Sequence, residues 1–102
     1  MEAQEAVRGY AALSTDSRIN ILRLLGKTKG GMASGDIARE LGVPANTLST
    51  QLFLLSTARL VEQRRQGRNI IYSVNQAGLK DLVNFLVQDC AGGRLKGVKV
   101  SA

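Results

Sequence analysis

The stretch over residues 34–60, SGDIARELGVPANTLSTQLFLLSTARL, constrains the possible folds of this chain most strongly. Its first part has apolar residues at helical spacing and ends at Gly42, which supplies the left-handed backbone that a tight turn between two helices needs. We expect the Ser34 hydroxyl to cap this first helix, and Pro44 to lie at the start of a second helix, where its missing N–H costs nothing. The second helix runs over about residues 45–57, so the stretch predicts a helix-turn-helix.

One face of the second helix is apolar, and the other is uncharged but rich in hydrogen-bonding groups. Leu48, Leu52 and Leu55 form the apolar stripe. A short helix with a small, polar outer face can enter the major groove of DNA and contact base edges. The candidate base-contacting residues are Asn46, Thr47, Ser49, Thr50 and Phe53. Because amphipathic helix pairs occur in any helical domain, the sequence that follows decides whether this interpretation holds.

Two short strand-like runs, residues 61–65 and 70–74, follow this helix and flank the turn sequence Gln66-Gly67-Arg68-Asn69. They predict a β-hairpin. A hairpin directly after such a helix is a wing, and its tip carries basic side chains where a phosphate backbone would lie. The candidate phosphate-contacting residues are Arg64, Arg65 and Arg68, with Gln66 near the tip.

Several short motifs, dispersed along the chain, resemble those of the bacterial ArsR/SmtB-type winged helix-turn-helix repressors. They extend over roughly residues 5–90 and are Ala12-Leu13-Ser14, Arg18-Ile19-Asn20-Ile21-Leu22-Arg23-Leu24-Leu25, Asp36-Ile37-Ala38, Leu48-Ser49 with Leu52, Leu60-Val61, and Gly67-Arg68 with Ile71-Tyr72-Ser73. The resemblance implies a mainly α fold with about five helices and a small β-hairpin, assembled as a homodimer through the N- and C-terminal helices. It also implies a DNA-binding repressor on a near-palindromic operator that overlaps a promoter, released by an inducer. A regulator of this family without metal sensing, or one with no small-molecule inducer at all, is the alternative.

The other segments fit one small domain over residues 1–90, followed by a basic tail over residues 91–102 that we expect to be mobile. Helical spacing predicts three further helices, over residues 2–12, 16–25 and 76–89. Candidate caps are Ser14 or Thr15 for the middle one and Asn75 for the last. The middle helix is apolar nearly all round and should be central core. The two terminal helices carry more apolar surface than the core covers, which fits the implied dimer.

The positive charge of the chain is concentrated in two places. Of the net charge of +6, the segment from Arg59 to Arg68 supplies four arginines against Glu62, and the tail supplies three more positive charges. The charges of the remaining residues sum to zero. Charge gathered on a wing and a tail is typical of a protein whose partner is a polyanion, although a solvated charge run is an equal explanation for the tail alone.

The chain has one Cys and no His, which excludes several chemistries. It can form no intramolecular disulfide and, within one chain, no zinc site of about four ligands. Since a Gly-rich phosphate loop and a recognisable pair of carboxylates are also missing, we expect no enzyme activity and no required cofactor. No apolar stretch approaches the ~20 residues of a membrane span, and no signal peptide is evident, so we expect a cytoplasmic protein without a membrane partner.

The single thiol, Cys90, allows two interpretations. The segment Asp89-Cys90-Ala91-Gly92-Gly93 resembles the Asp-Cys-Cys-Gly ending of some arsenic-responsive relatives, with Ala91 in place of the second Cys. Cys90 is either a small residue that closes the helix or a sensor for arsenite, another thiophilic metalloid, a persulfide or an oxidant. One thiolate suits trivalent arsenic poorly, because that ion prefers about three soft ligands. If the last helices pair antiparallel across a two-fold axis, their ends lie about 20 Å apart, too far for an inter-subunit disulfide.

Two positions depart from the pattern of the resembled family. Phe53 stands where relatives usually have Lys or another polar residue, so it either packs against the wing or contacts a thymine methyl group. Ala58 and Arg59 replace the usual Gly after the recognition helix. A non-glycine residue then has to turn the chain, at a cost of about 1 kcal/mol.

Two other classes of binding protein compete with the DNA-binding interpretation. An RNA-binding winged helix usually presents aromatic stacking platforms, whereas this chain has only two Phe and two Tyr. A winged helix that serves only as a protein-interaction module would not need the wing arginines. A steep dependence of DNA affinity on salt would therefore discriminate against that module.

Overall fold

The computed structural model describes residues 1–98. Its elements are α1 (Ala3–Ala12), α2 (Asp16–Lys27), β1 (Met32–Ala33), α3 (Ser34–Leu41), α4 (Ala45–Thr57), β2 (Val61–Gln66), β3 (Asn69–Val74), α5 (Gln76–Asn84) and a π-helical segment (Phe85–Cys90). The predicted mainly α fold, with a helix-turn-helix followed by a hairpin, is confirmed. The last four residues of the predicted basic tail lie outside the described residues.

The strands form one antiparallel sheet in the order β1-β3-β2. The hairpin pairs Val61 with Val74 at its base and Gln66 with Asn69 at its tip, one residue longer at the tip than predicted. The first strand was not predicted as a strand, because its two residues are too few to show a period. Its two residues pair with β3, Met32 opposite Tyr72 and Ala33 opposite Ile71.

The core lies where the helix-turn-helix meets α2, the base of the hairpin and α5. The fully buried side chains are those of Ile21, Ile37, Leu48, Leu55, Leu60 and Leu82. The predicted stripe of α4 is confirmed, since Leu48, Leu52 and Leu55 are all buried. The expectation for α2 was wrong in part: only one face of that helix packs inward, and Ile19 remains 37% exposed.

The predicted N-caps are confirmed except at Ser34, and α2 continues to Lys27, two residues beyond its predicted end. The Thr15 hydroxyl accepts a hydrogen bond from the Arg18 amide at 3.3 Å, and the Asn75 side chain accepts one from the Gly78 amide at 3.1 Å. Ser34 is not the cap of α3. The preceding residue, Ala33, is already extended as part of the sheet, with φ −72° and ψ 151°, so the helix begins at Ser34 itself.

The helix-turn-helix turn has the predicted geometry. Gly42 adopts φ 66° and ψ 36°, in the left-handed region, and ends α3. The amide of Val43 then donates to the Ala38 carbonyl at 3.1 Å. Pro44 is extended and immediately precedes the first residue of α4, where no helical N–H is lost.

The last helix is not the single α-helix predicted over residues 76–89. It changes to a π-helix after Asn84, and the amide of Ala91 donates to the Leu86 carbonyl, five residues earlier, at 2.9 Å. Leu82 and Val87 are both buried. Leu82 packs in the hydrophobic core, whereas Val87 is buried apart from that cluster, within the wider turns of the π-helical segment.

The chain reverses after α4 through a residue with a left-handed backbone, as predicted. Arg59 has φ 62°, the only positive value of a non-glycine residue among residues 1–98. We expect Arg59→Gly to raise the free energy of unfolding by about 1 kcal/mol, because glycine adopts this conformation without strain. Arg59→Ala is the control: it removes the exposed ion pair with Asp81 but keeps the strain. Urea unfolding measures both variants. If the free energy of unfolding of Arg59→Gly were no higher than that of Arg59→Ala, the backbone at Arg59 would not be strained.

Candidate nucleic-acid interface

The outward face of α4 is exposed and carries no charge. Asn46, Thr47, Ser49 and Thr50 are all exposed, opposite the buried leucines. The Thr50 hydroxyl donates to the Asn46 carbonyl within the helix at 3.3 Å and keeps its oxygen as an acceptor toward solvent. The helix thus presents amide and hydroxyl groups, the kind that pair with base edges.

Phe53 lies on the same side of α4 and is 66% exposed. Of the two environments that the sequence allowed, packing against the wing is wrong, because a packed ring would be largely covered. The ring is therefore available for contact with a partner that binds this face of α4. An exposed aromatic ring among polar side chains gives this face one large apolar contact group.

Another polar residue of α4, Gln51, was not among the predicted site residues. Its side-chain oxygen accepts a hydrogen bond from Arg18 Nη1 at 2.9 Å. The same guanidinium donates through Nε to the Ala12 carbonyl at 2.6 Å and through Nη2 to the Ala11 carbonyl at 3.4 Å. Arg18 therefore joins the C-terminus of α1 to the recognition helix. Sequence spacing could not reveal this contact, because 33 residues separate the two side chains.

The wing residues do not all point the same way. Arg64 reaches back across the sheet: Nη2 donates to the Gly30 carbonyl at 2.9 Å, and Nη1 donates to the Gln66 side chain at 3.2 Å. Arg65 is the next residue of β2 and projects from the other face of the strand. Arg68 stands beside Gly67 in the two-residue loop between the strands. The four candidate residues of the wing, Arg64, Arg65, Gln66 and Arg68, are all exposed.

Two basic residues outside the wing are partly neutralised. Arg39 forms an ion pair with Asp36 one turn earlier on α3. Arg59, counted above with the basic segment, pairs with Asp81 at 3.4 Å. The positive field after α4 therefore comes mainly from the wing arginines, with the tail of residues 91–98 as a separate source.

The helices α1 and α5 pack closely and leave apolar side chains outside. A Cβ on Gly9 would lie 2.6 Å from Leu82 Cδ2, and the Tyr10 hydroxyl donates to the Leu82 carbonyl. Burial, with a smaller electrostatic effect of Cys90, raises the pKa of the Tyr10 phenol. Three apolar side chains point outward here: Val7 of α1, 69% exposed, Val83 of α5, 41% exposed, and Leu86 of the π-helical segment, 45% exposed.

Cys90 ends the π-helical segment and is exposed. Within residues 1–98, no group of three His, Cys, Asp or Glu side chains is arranged to hold a metal ion. Over the same residues, no helix is both long enough and apolar enough to span a membrane.

Comparison with known proteins gives consistent similarities. The model of a helix-turn-helix domain family matches residues 13–64, which contain α2, α3 and α4. The transcriptional repressor SdpR of Bacillus subtilis (strain 168) is 35% identical over 79 residues, covering 76% of this chain and 84% of the relative.

Solved structures extend the similarity to the fold. The ArsR-like transcriptional regulator from Rhodococcus sp. RHA1 has a TM-score of 0.78 at 28% identity, over 88% of this chain and 83% of that chain. The homodimeric winged helix-turn-helix DNA-binding domain Mb0332 (fragment 1-100) from Mycobacterium bovis has a TM-score of 0.69 at 29% identity, over 97% of this chain and 89% of that chain.

Proposed function

We propose that this chain, which belongs to the ArsR/SmtB family of winged helix-turn-helix transcriptional repressors, binds a near-palindromic operator as a homodimer and blocks polymerase at the promoter. It is a DNA-binding regulator and not an enzyme. The observation that carries the proposal is the uncharged, exposed polar face of α4 beside a basic wing. A regulator of this kind works where promoters are, which for a bacterial cell is the cytoplasm.

The proposed contacts divide between the helix and the wing. The side chains proposed to face the base edges of the major groove are those of Asn46, Thr47, Ser49, Thr50 and Phe53. Arg64, Arg65 and Arg68 contact phosphates, with Gln66 near the tip. The position of Arg68 in the wing loop supports its role most directly, whereas Arg64 would have to share its guanidinium with the Gly30 carbonyl.

The proposed dimer forms through α1 and the last helix. The exposed Val7, Val83 and Leu86 supply an apolar surface on the pair of helices that Gly9 and Tyr10 hold together. A two-fold axis through this surface makes the interface self-complementary, and it would place the two recognition helices about 34 Å apart.

Helix and wing substitutions should weaken DNA binding in different ways. We expect Arg65→Gln and Arg68→Gln each to weaken binding to every duplex alike and to reduce the slope of log affinity against log salt by about one. We expect Asn46→Ala instead to cost about 1 to 3 kcal/mol and to relax preference at one base pair. Arg23→Gln, at an exposed arginine of α2, is the charge control. DNA titrations at several salt concentrations check this. If the arginine variants relaxed preference at one base pair and Asn46→Ala lowered the salt slope, the roles of helix and wing would be reversed.

We propose that any inducer acts without a resident cofactor, and Cys90 is the residue through which a thiol-reactive signal or metalloid would act. As a thiol sensor it would need to be accessible, and it is exposed. We expect Cys90→Ser to retain dimerisation and operator affinity within about twofold, because the thiol supports neither the core nor the recognition helix. Sedimentation and gel-shift measurements check this. If arsenite or peroxide released the wild-type protein from DNA but did not release Cys90→Ser, Cys90 would be the sensor. If untreated Cys90→Ser failed to bind the operator, the expectation would be wrong.

A further inference from the structure

We propose that Phe53 recognises the 5-methyl group of a thymine, so that each operator half-site carries a thymine at one fixed position. This inference rests on the proposed function and adds to it the identity of one base. It depends on where the ring stands on α4, on how exposed it is, and on which chemical groups the rest of the helix lacks.

The position of Phe53 on the helix places it beside the polar groups that face DNA. Seven residues separate it from Asn46, which is almost two full turns, so the two side chains lie within about 20° of each other around the axis. Ser49 precedes it by one turn on the other side. These three side chains are exposed and form one strip, and the buried leucines lie on the opposite side of the helix.

The exposure of Phe53 distinguishes it from the other large apolar residues of α4. Its ring is 66% exposed, whereas the neighbouring Leu54 is 38% exposed and lines a hollow beside Arg8 and Arg18. A phenyl ring left in water among hydrogen-bonding side chains gains nothing for folding. It gains on binding only if the surface that α4 enters offers an apolar group at that place.

The chemistry of the major groove supplies only one such group. Thymine alone among the four bases carries a methyl group in that groove, and apolar side chains recognise it by contact. Guanine is usually recognised by Arg or Lys, and α4 contains neither.

The test removes the methyl group without changing hydrogen bonding. A duplex enriched by the purified protein from a random-sequence library serves as the operator, and each thymine is replaced in turn by deoxyuridine in both half-sites. We expect wild-type affinity to fall about fourfold per half-site at one symmetric position, the effect of one buried methyl group. Phe53→Ala should bind the thymine duplex more weakly and lose all sensitivity at that position, and Phe53→Leu should keep part of it.

Three outcomes are decisive. If Phe53→Ala kept the full sensitivity to deoxyuridine, the inference would be wrong. It would also be wrong if the wild-type protein showed no such sensitivity. Neither result would affect the proposed repressor function. Failure of the wild-type protein to enrich any sequence would overturn the proposed function and the inference together. Thermal unfolding of Phe53→Ala at the wild-type temperature is the control for folding, because the ring is exposed and supports no core contact.

Discussion

Replacing Gly78 with Ala is expected to destabilise the whole domain by more than about 3 kcal/mol, a large part of the about 5 to 15 kcal/mol that typically stabilises a domain. A Cβ at this position would lie 1.8 Å from the Arg59 carbonyl oxygen and 2.9 Å from its carbon. These atoms belong to the backbone of the strained turn after α4, so no side-chain rotation relieves the clash. Either α5 must move away from the turn or the turn must open.

The control for this substitution is Gly26→Ala. Gly26 is also helical, near the end of α2, and has nothing within 4 Å of the Cβ that it lacks. Alanine there should be neutral or stabilise the protein by up to about 1 kcal/mol, through helix propensity. Urea unfolding of both variants gives the comparison. Equal stability of Gly78→Ala and the wild-type protein would mean that α5 does not pack against the Arg59 carbonyl as described.

The second large effect is expected from Leu86→Glu. Leu86 is 45% exposed in the π-helical segment, so a charge there should be tolerated by the isolated subunit but not inside an apolar dimer interface. We expect a folded monomer whose operator affinity falls toward the non-specific level of about 10⁻⁴ to 10⁻⁶ M, because one recognition helix can then contact only one half-site.

Ile19→Glu serves as the matched control for Leu86→Glu. Ile19 is 37% exposed on α2, which is not one of the helices proposed to form the interface, and the substitution adds the same charge. Sedimentation analysis measures the association state, and circular dichroism checks the fold. A Leu86→Glu protein that remains a dimer would place the interface elsewhere, and dissociation of Ile19→Glu as well would show that net charge rather than position is responsible.

Features determined by local sequence could be predicted. The left-handed Gly42 and the leucine spacing of α4 depend on a few neighbouring residues, so they specified the helix-turn-helix. The cap of the last helix by Asn75 is likewise local. Ser34 misled the prediction, because pairing of β1 with β3 fixed the backbone of the residue before it.

Features that depend on distant contacts could not be predicted. The π-helical segment buries Val87 apart from the core cluster that contains Leu82, and the apolar spacing of residues 76–89 does not reveal this change of helix type. At the interface, the sequence identified the exposed face of α4 but not the Arg18 contact to Gln51 or the orientation of Arg64 toward Gly30. The hydrogen-bond partners of these long side chains are distant in sequence, so they come within reach only in the folded chain.

The most direct test of the central claim is competition binding of the wild-type protein to three duplexes at one salt concentration: the enriched palindrome, the same duplex with one half-site scrambled, and a fully scrambled duplex. A homodimer with α4 in two successive major grooves predicts that the palindrome binds at least about a thousandfold more tightly than the scrambled duplex, with two subunits per duplex. It also predicts a large loss of affinity on scrambling one half-site. Equal affinity for all three duplexes would contradict a sequence-specific dimeric repressor.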